Sequence, residues 1–205
     1  AGDGRLTFAK PERENCDGYA YDPENPSQHI IDMSENEIEV PEDYTREELR
    51  QDLLCYTSPV LKEDLVLTGD MTAELYISSD APDTDFVVRV TDVDENGRSI
   101  KLADGLLSAR YRNGFAQSEF LQEGEIVCLK IRTTKLSNCF RKGHRIRVTV
   151  TSSAKNFIFP NSNTREGFAS ARTVVAHNRV YHGGLHASRL TVRVELRCSS
   201  RKFSF

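Results

Sequence analysis

The stretch Leu65-Val66-Leu67-Thr68-Gly69-Asp70-Met71-Thr72-Ala73-Glu74-Leu75-Tyr76-Ile77 decides the fold. Its odd positions Leu65, Leu67, Met71, Ala73, Leu75 and Ile77 are apolar, while Thr68, Asp70, Thr72 and Glu74 are polar. Side chains of a strand alternate between faces, so a period of two marks a half-buried antiparallel strand. The same style continues downstream. Phe86, Val88 and Val90 alternate with Val87, Arg89 and Thr91; the turn Asp94-Glu95-Asn96-Gly97 supplies an Asn-Gly pair suited to positive φ; and Ser99 to Arg112 runs back, which predicts a hairpin. Ile126 to Thr134, Arg145 to Ser153, Thr173 to Tyr181 and Arg189 to Leu196 add four more strands, separated by turn residues such as Gly124, Gly143 and Gly183-Gly184. A parallel sheet would need crossover helices, and no helical period intervenes, so the expected class is all-β, a sandwich.

The first 60 residues read differently. From Asp22 to Pro41 the chain holds Pro23, Pro26 and Pro41 among many carboxylates with no sustained period, which suits an arm laid over another surface. Thr45-Arg46-Glu47-Glu48 fits a capping box, with the Thr45 hydroxyl accepting from the Glu48 amide and Leu49 and Leu53 on one face, so one short helix is expected there. The expected organisation is one domain over 1–205, with arm and helix in 1–60, sandwich in 61–197 and a tail in 198–205.

At 205 residues the chain is long enough to bury a sizeable core. Its 27 Lys and Arg against 31 Asp and Glu give a formal charge of -4, which does not attract phosphate or an anionic membrane, so neither nucleic acid nor membrane is expected as a partner. The five scattered cysteines, Cys16, Cys55, Cys128, Cys139 and Cys198, have neither zinc-ribbon nor redox-dithiol spacing, and the odd count favours free thiols in a reducing, cytoplasmic compartment. The opening Ala1-Gly2-Asp3-Gly4 carries no initiating Met and no charged-then-apolar leader; the expectation is a soluble chain trimmed from something longer.

Catalytic residues are not expected. None of the twelve glycines builds the Gly-x-Ser-x-Gly turn on which a hydrolase nucleophile protrudes. His177, His182 and His186 straddle a strand end and a glycine turn with no Cys or carboxylate between them, and read as hydrogen-bonding loop histidines rather than a metal site; no metal and no cofactor is expected. Asp83 and Asp85 flank Thr84 and read as turn residues rather than a glycosidase pair. In the basic stretch Lys130 to Arg147, Arg145 and Arg147 alternate with Ile146, Val148 and Val150 and belong on the outward face of a strand.

Read in order, several segments resemble the C-terminal domain shared by Xaa-Pro dipeptidyl-peptidases, bacterial cocaine esterase, α-amino-acid ester hydrolases and glutaryl acylases. They are Tyr21-Asp22-Pro23-Glu24-Asn25-Pro26, residues Arg50 to Ser58, Leu67-Thr68-Gly69, residues Ser78 to Phe86, Asp92-Val93 before Asn96-Gly97, Leu106 to Arg112, Gly143 to Val148 with Ser152-Ser153, and Asn161-Ser162-Asn163-Thr164. The likeness spans residues 19 to 196. It implies a galactose-binding-like jelly-roll, non-catalytic, that packs on an upstream α/β-hydrolase domain holding the Ser, Asp and His triad. That parent would take a small acyl ester or peptide substrate at the domain interface. The family's Pro-rich, paired-glycine stretch is replaced here by residues Ser27 to Met33, and in relatives this segment approaches the acyl pocket, so Ile30, Ile31 and Met33 are the expected substrate wall. Two other readings are a carbohydrate-binding module, disfavoured by the absence of Trp and by Tyr and Phe placed on predicted core faces, and an oligomerisation module giving a homo-oligomer.

Overall fold

The computed structural model describes residues 3–30 and 42–195. Its strands are β1 (Asp3–Arg5), β2 (Asn15–Tyr21), β3 (Leu53–Thr57), β4 (Leu65–Gly69), β5 (Thr72–Ser79), β6 (Asp85–Val93), β7 (Ser99–Ser108), β8 (Val127–Arg132), β9 (Leu136–Phe140), β10 (Arg145–Thr151), β11 (Ala176–His182), β12 (Arg189–Thr191) and β13 (Val194–Glu195). One sheet runs β1-β3-β10-β6-β7, a second β12-β5-β11-β2 with β8 on the other edge of β5, and a third β13-β4-β9. All neighbours are antiparallel except β1 and β3. The all-β sandwich expected from the alternation is the observed architecture.

The core lies between the first two sheets. Leu54, Phe86, Val88, Val148 and Val150 of the first meet Tyr19, Tyr21, Leu75, Ile77, Leu129, Ile131 and Val180 of the second. A second cluster, Leu67, Met71, Val90, Ala103, Leu136, Phe140 and Ile146, fills the space under the third sheet. The alternating run that opened the sequence serves both. It is not one strand but two, because Gly69 turns with φ of 104°, a left-handed value that glycine takes without a Cβ clash, and β5 begins afresh in another sheet.

The first 60 residues are more than an arm: β1, β2 and β3 lie within them, and β2 and β3 each form part of a main sheet. What the reading of an arm captures is residues 22–30 and 42–50: Asp43 bridges to Ile100 along the edge of β7, and Tyr44 and Glu48 reach over the outer face of the first sheet to Arg89 and Thr91. Tyr44 donates its amide to the Ser99 carbonyl (2.8 Å), Lys101 donates its amide to the Glu42 carbonyl (2.9 Å), and Ser27 and Ser153 bond through amide and hydroxyl (both 2.8 Å). Hence β6 is buried on both faces: Phe86, Val88 and Val90 point inward, while Val87, Arg89 and Thr91 lie beneath this cover. Arg89 is fully buried, its guanidinium 4.7 Å from the centre of the Tyr44 ring.

The expected short helix is a single 3-10 turn at Glu47–Leu49. Its capping box is not made. The Thr45 hydroxyl instead donates to Asp43 Oδ1 (2.6 Å) and accepts the Ser99 amide (2.9 Å), and the Glu48 amide goes to the Tyr44 carbonyl (2.9 Å). Leu49 is 76% exposed while Leu53 is buried in β3, so the two share no face.

Candidate docking face and pocket wall

Three pieces of sequence far apart in the chain build one end of the sandwich. Asp83, on the loop into β6, and Asp85, the first residue of β6, are both buried, and a single amide group, Asn161 Nδ2, donates to both, at 2.7 Å to Asp83 Oδ2 and 2.9 Å to Asp85 Oδ1. Arg110 adds its Nε to Asp83 Oδ2 (2.7 Å) and its backbone amide to Asp83 Oδ1 (2.9 Å), then donates through Nη1 and Nη2 to the carbonyls of Arg165 (3.1 Å) and Thr164 (3.0 Å). A buried carboxylate held by several donors is compensated. Burial pushes the Asp85 carboxyl above its usual range, and the neighbouring Asp83 charge adds to this. This arrangement fastens the loop before β6, the turn after β7 and the loop at 161–167 together. Gly167 is required at the crossing: its φ is 63°, and a Cβ there would come within 3.1 Å of Arg110 Nη2. The two aspartates are therefore structural, with an asparagine rather than a sugar between them.

Beside this end runs the segment that carries the expected pocket wall. Gln28 donates its amide to Glu47 Oε1 (2.8 Å) and bridges to Lys155, and His29 donates its amide to the Lys155 carbonyl (2.8 Å). The buried His29 ring stacks on Phe157 with centroids 4.8 Å apart. Its Nε2 lies 2.9 Å from Lys101 Nζ and 3.4 Å from Asp104 Oδ2, while Lys101 also pairs with Glu42 (2.6 Å) and Asp104 (3.0 Å). Ile30 follows, half-buried, its amide donated to the Tyr44 hydroxyl (3.2 Å). Of the three expected wall residues, Ile30 stands at the end of this pinned segment; Ile31 and Met33 lie outside the described residues.

Asp104 is the member of this cluster that titrates in acid. Burial works to raise the Asp104 carboxyl, but the His29 and Lys101 neighbours outweigh it and hold it at about 2, down from 3.8. Because the folded value is the lower, the stability Asp104 contributes is complete above about pH 4 and is lost as the pH falls through about 2, up to about 2 kcal/mol. Asp104→Asn is expected to flatten the fall in urea midpoint between those pH values. An unchanged fall would contradict the assignment.

The remaining sequence candidates are dispersed. His177 Nδ1 is 2.7 Å from Asp80, His182 Nε2 is 3.2 Å from Asp17 and His186 Nδ1 is 3.1 Å from Glu14, so each histidine faces its own carboxylate. Among the described residues no group of three or more His, Cys, Asp or Glu is placed to hold a metal. Arg145 and Arg147 both lie on the outward face as expected; Arg145 is exposed, whereas Arg147 is covered by Glu48 at 2.6 Å. Among the described residues, no helix is long and apolar enough to cross a membrane.

Sequence reasoning did not identify which aromatic rings are exposed. Phe157, Phe159 and Phe168 are 44%, 82% and 77% exposed, and Phe8 and Phe115 are exposed as well, whereas core positions were expected to take most aromatic rings. These phenylalanines lie outside every strand, where alternation carries no signal.

Comparison with known proteins agrees with this architecture. The family model described as the X-Pro dipeptidyl-peptidase C-terminal non-catalytic domain matches residues 2–191. The cocaine esterase of Rhodococcus sp. (strain MB1 Bresler) is 34% identical over 200 residues, which is 94% of this chain and 34% of the esterase. Among solved structures, an aminopeptidase from a marine sediment Thaumarchaeota archaeon superposes with a TM-score of 0.87 at 26% identity, covering 95% of this chain and 36% of that one. An α-amino acid ester hydrolase shares the fold with a TM-score of 0.80 at 23% identity, covering 94% of this chain and 35% of that one. The chain thus spans about a third of the length of these relatives. With the model matched from residue 2 to residue 191 and the sandwich shared with both solved structures, the chain belongs to the X-Pro dipeptidyl-peptidase C-terminal non-catalytic domain family.

Proposed function

We propose that this sandwich packs on an upstream α/β-hydrolase domain of the same polypeptide and closes one side of its pocket, the parent enzyme cleaving an ester or amide of a small acyl or peptide substrate by acyl transfer to a serine. Ile30, Ile31 and Met33 are its wall. The observation that carries this reading is the pinning of residues 27–30: buried Ser27, bridged Gln28 and stacked His29 fix the position of Ile30. A wall held by a rigid scaffold shapes a pocket without spending binding energy on ordering itself. The names of the relatives, an esterase, an aminopeptidase and an ester hydrolase, support acyl chemistry for the parent. Among the described residues Cys16, Cys128 and Cys139 form no disulfide, which supports a reducing, cytoplasmic setting.

Trimming the wall tests this. In the parent polypeptide, Ile30→Ala and Met33→Ala are each expected to change KM for the acyl substrate by about tenfold with a smaller change in kcat, the loss of apolar contact in a binding pocket. Unchanged KM in both variants would remove these residues from the pocket.

A further inference from the structure

We propose that the exposed cluster of Phe157, Phe159 and Phe168 is the surface on which the upstream catalytic part of the parent polypeptide sits; this rests on the accessory-domain reading above. Single exposed apolar side chains are ordinary, but adjoining bare aromatic rings mark a surface that something covers. Phe159 and Phe168 come from different loops and stack on each other, centroids 6.1 Å apart and planes 26° apart, and both are more than three-quarters exposed. Among the described residues Phe115 pairs with Tyr111, at 5.4 Å, and Phe8 takes part in no ring stack.

The loops that hold this pair are firm. The 157 and 158 amides both go to the Ala154 carbonyl (3.0 and 2.9 Å), and Ala154 is buried. The turn under Phe168 is fixed by Ser162 Oγ donating to the Gly167 carbonyl (2.6 Å) and by Arg110 donating to the carbonyls at 164 and 165. Aromatic rings shown on preorganised loops, with Lys155, Arg165 and Glu166 exposed around them, have the makeup of an interface centre inside a polar rim.

Two observations name the occupant. The relatives carry about two-thirds of their length outside the matched region, so a body larger than this chain has to be seated somewhere on it. The stacked pair is also tied to the proposed pocket wall through the chain, because Phe157, two residues before Phe159, stacks on His29, next to Ile30. A catalytic domain resting on these rings would therefore also reach that wall.

Hydroxyl-radical footprinting reads the rings themselves. The 205-residue chain and the full parent polypeptide are oxidised side by side and the modification of each side chain is quantified. Phe159 and Phe168 are expected to react about tenfold more slowly in the parent, as hot-spot rings at an interface centre lose their water. If other side chains lose reactivity while these two do not, the docking face lies elsewhere and this proposal is overturned, with the accessory-domain reading intact. If no side chain changes, both fail. If the two rings are already protected in the isolated chain and sedimentation shows a dimer, a second copy is the occupant and the proposal is likewise overturned. Phe159→Ser with Phe168→Ser alters only exposed side chains; in the parent it is expected to split one thermal unfolding transition into two, and a single unshifted transition would count against the face.

Discussion

Arg110→Ala is expected to lower the stability of this domain by about 3 to 5 kcal/mol, the cost of leaving a buried charge without its partner. Asp83 has no solvent exposure, and the Arg110 side chain is 13% exposed. With the guanidinium gone, Asp83 keeps only Asn161 on the oxygen it shared, 2.7 Å away, and that amide also serves the buried Asp85. Two neighbouring buried carboxylates that have lost the cation beside them either protonate or draw in water, and both cost folding free energy. The loss should appear as a lower urea midpoint at constant slope, since the surface exposed on unfolding is nearly unchanged. Adding Asp83→Asn to the variant removes the stranded charge and is expected to recover part of the loss. A fall below about 1 kcal/mol would place the pair among surface ion pairs of little worth.

Glu48→Ala is expected to cost about 2 to 4 kcal/mol, for a similar reason with a different consequence. The Glu48 side chain is 3% exposed; its carboxylate accepts from Arg147 Nη1 (2.6 Å), the Ser99 hydroxyl (2.8 Å) and, more distantly, the Thr91 hydroxyl (3.4 Å). These groups lie on β10, β7 and β6, so one side chain of the covering segment fastens three strands of the first sheet. Its removal leaves the sandwich core intact but frees the cover. Hydrogen exchange is the discriminating measurement. The Tyr44 and Lys101 amides, which bond across this boundary to Ser99 and Glu42, should exchange faster than the core amides of β10. Uniform acceleration through the sheet would mean that Glu48 supports the whole fold rather than the cover.

The architecture was legible because burial imposes a period on strands. Phe86 to Val90, the Asn96-Gly97 turn and the returning β7 read correctly from residues alone. The run at Leu65 to Ile77 shows where that signal stops. Alternation states which side chains face a core; it does not state that two cores exist, and the break falls on Gly69, whose backbone freedom has no periodic signature. The capping box at Thr45 failed because a short polar side chain takes whichever partner tertiary packing brings, here the Ser99 amide 54 residues away. The role of Asp83 was invisible for the same reason, since its partners Arg110 and Asn161 are 27 and 78 residues distant. The aromatic face was unreadable because loops carry no repeat. Resemblance supplied the family and pointed to Ile30; the atoms that pin Ile30 came only from the fold.

The proposed function divides the labour, with this sandwich supporting a pocket and the chemistry done elsewhere. His144, His177, His182 and His186 each face a carboxylate, and His29 is bound up with Lys101 and Asp104, so the ring of each is engaged in fastening the fold. The most direct measurement is turnover of p-nitrophenyl esters and Xaa-Pro anilides by the purified 205-residue chain. The expected rate equals that of buffer at every enzyme concentration. Hydrolysis that rises in proportion to the chain and survives repeated purification would contradict the account.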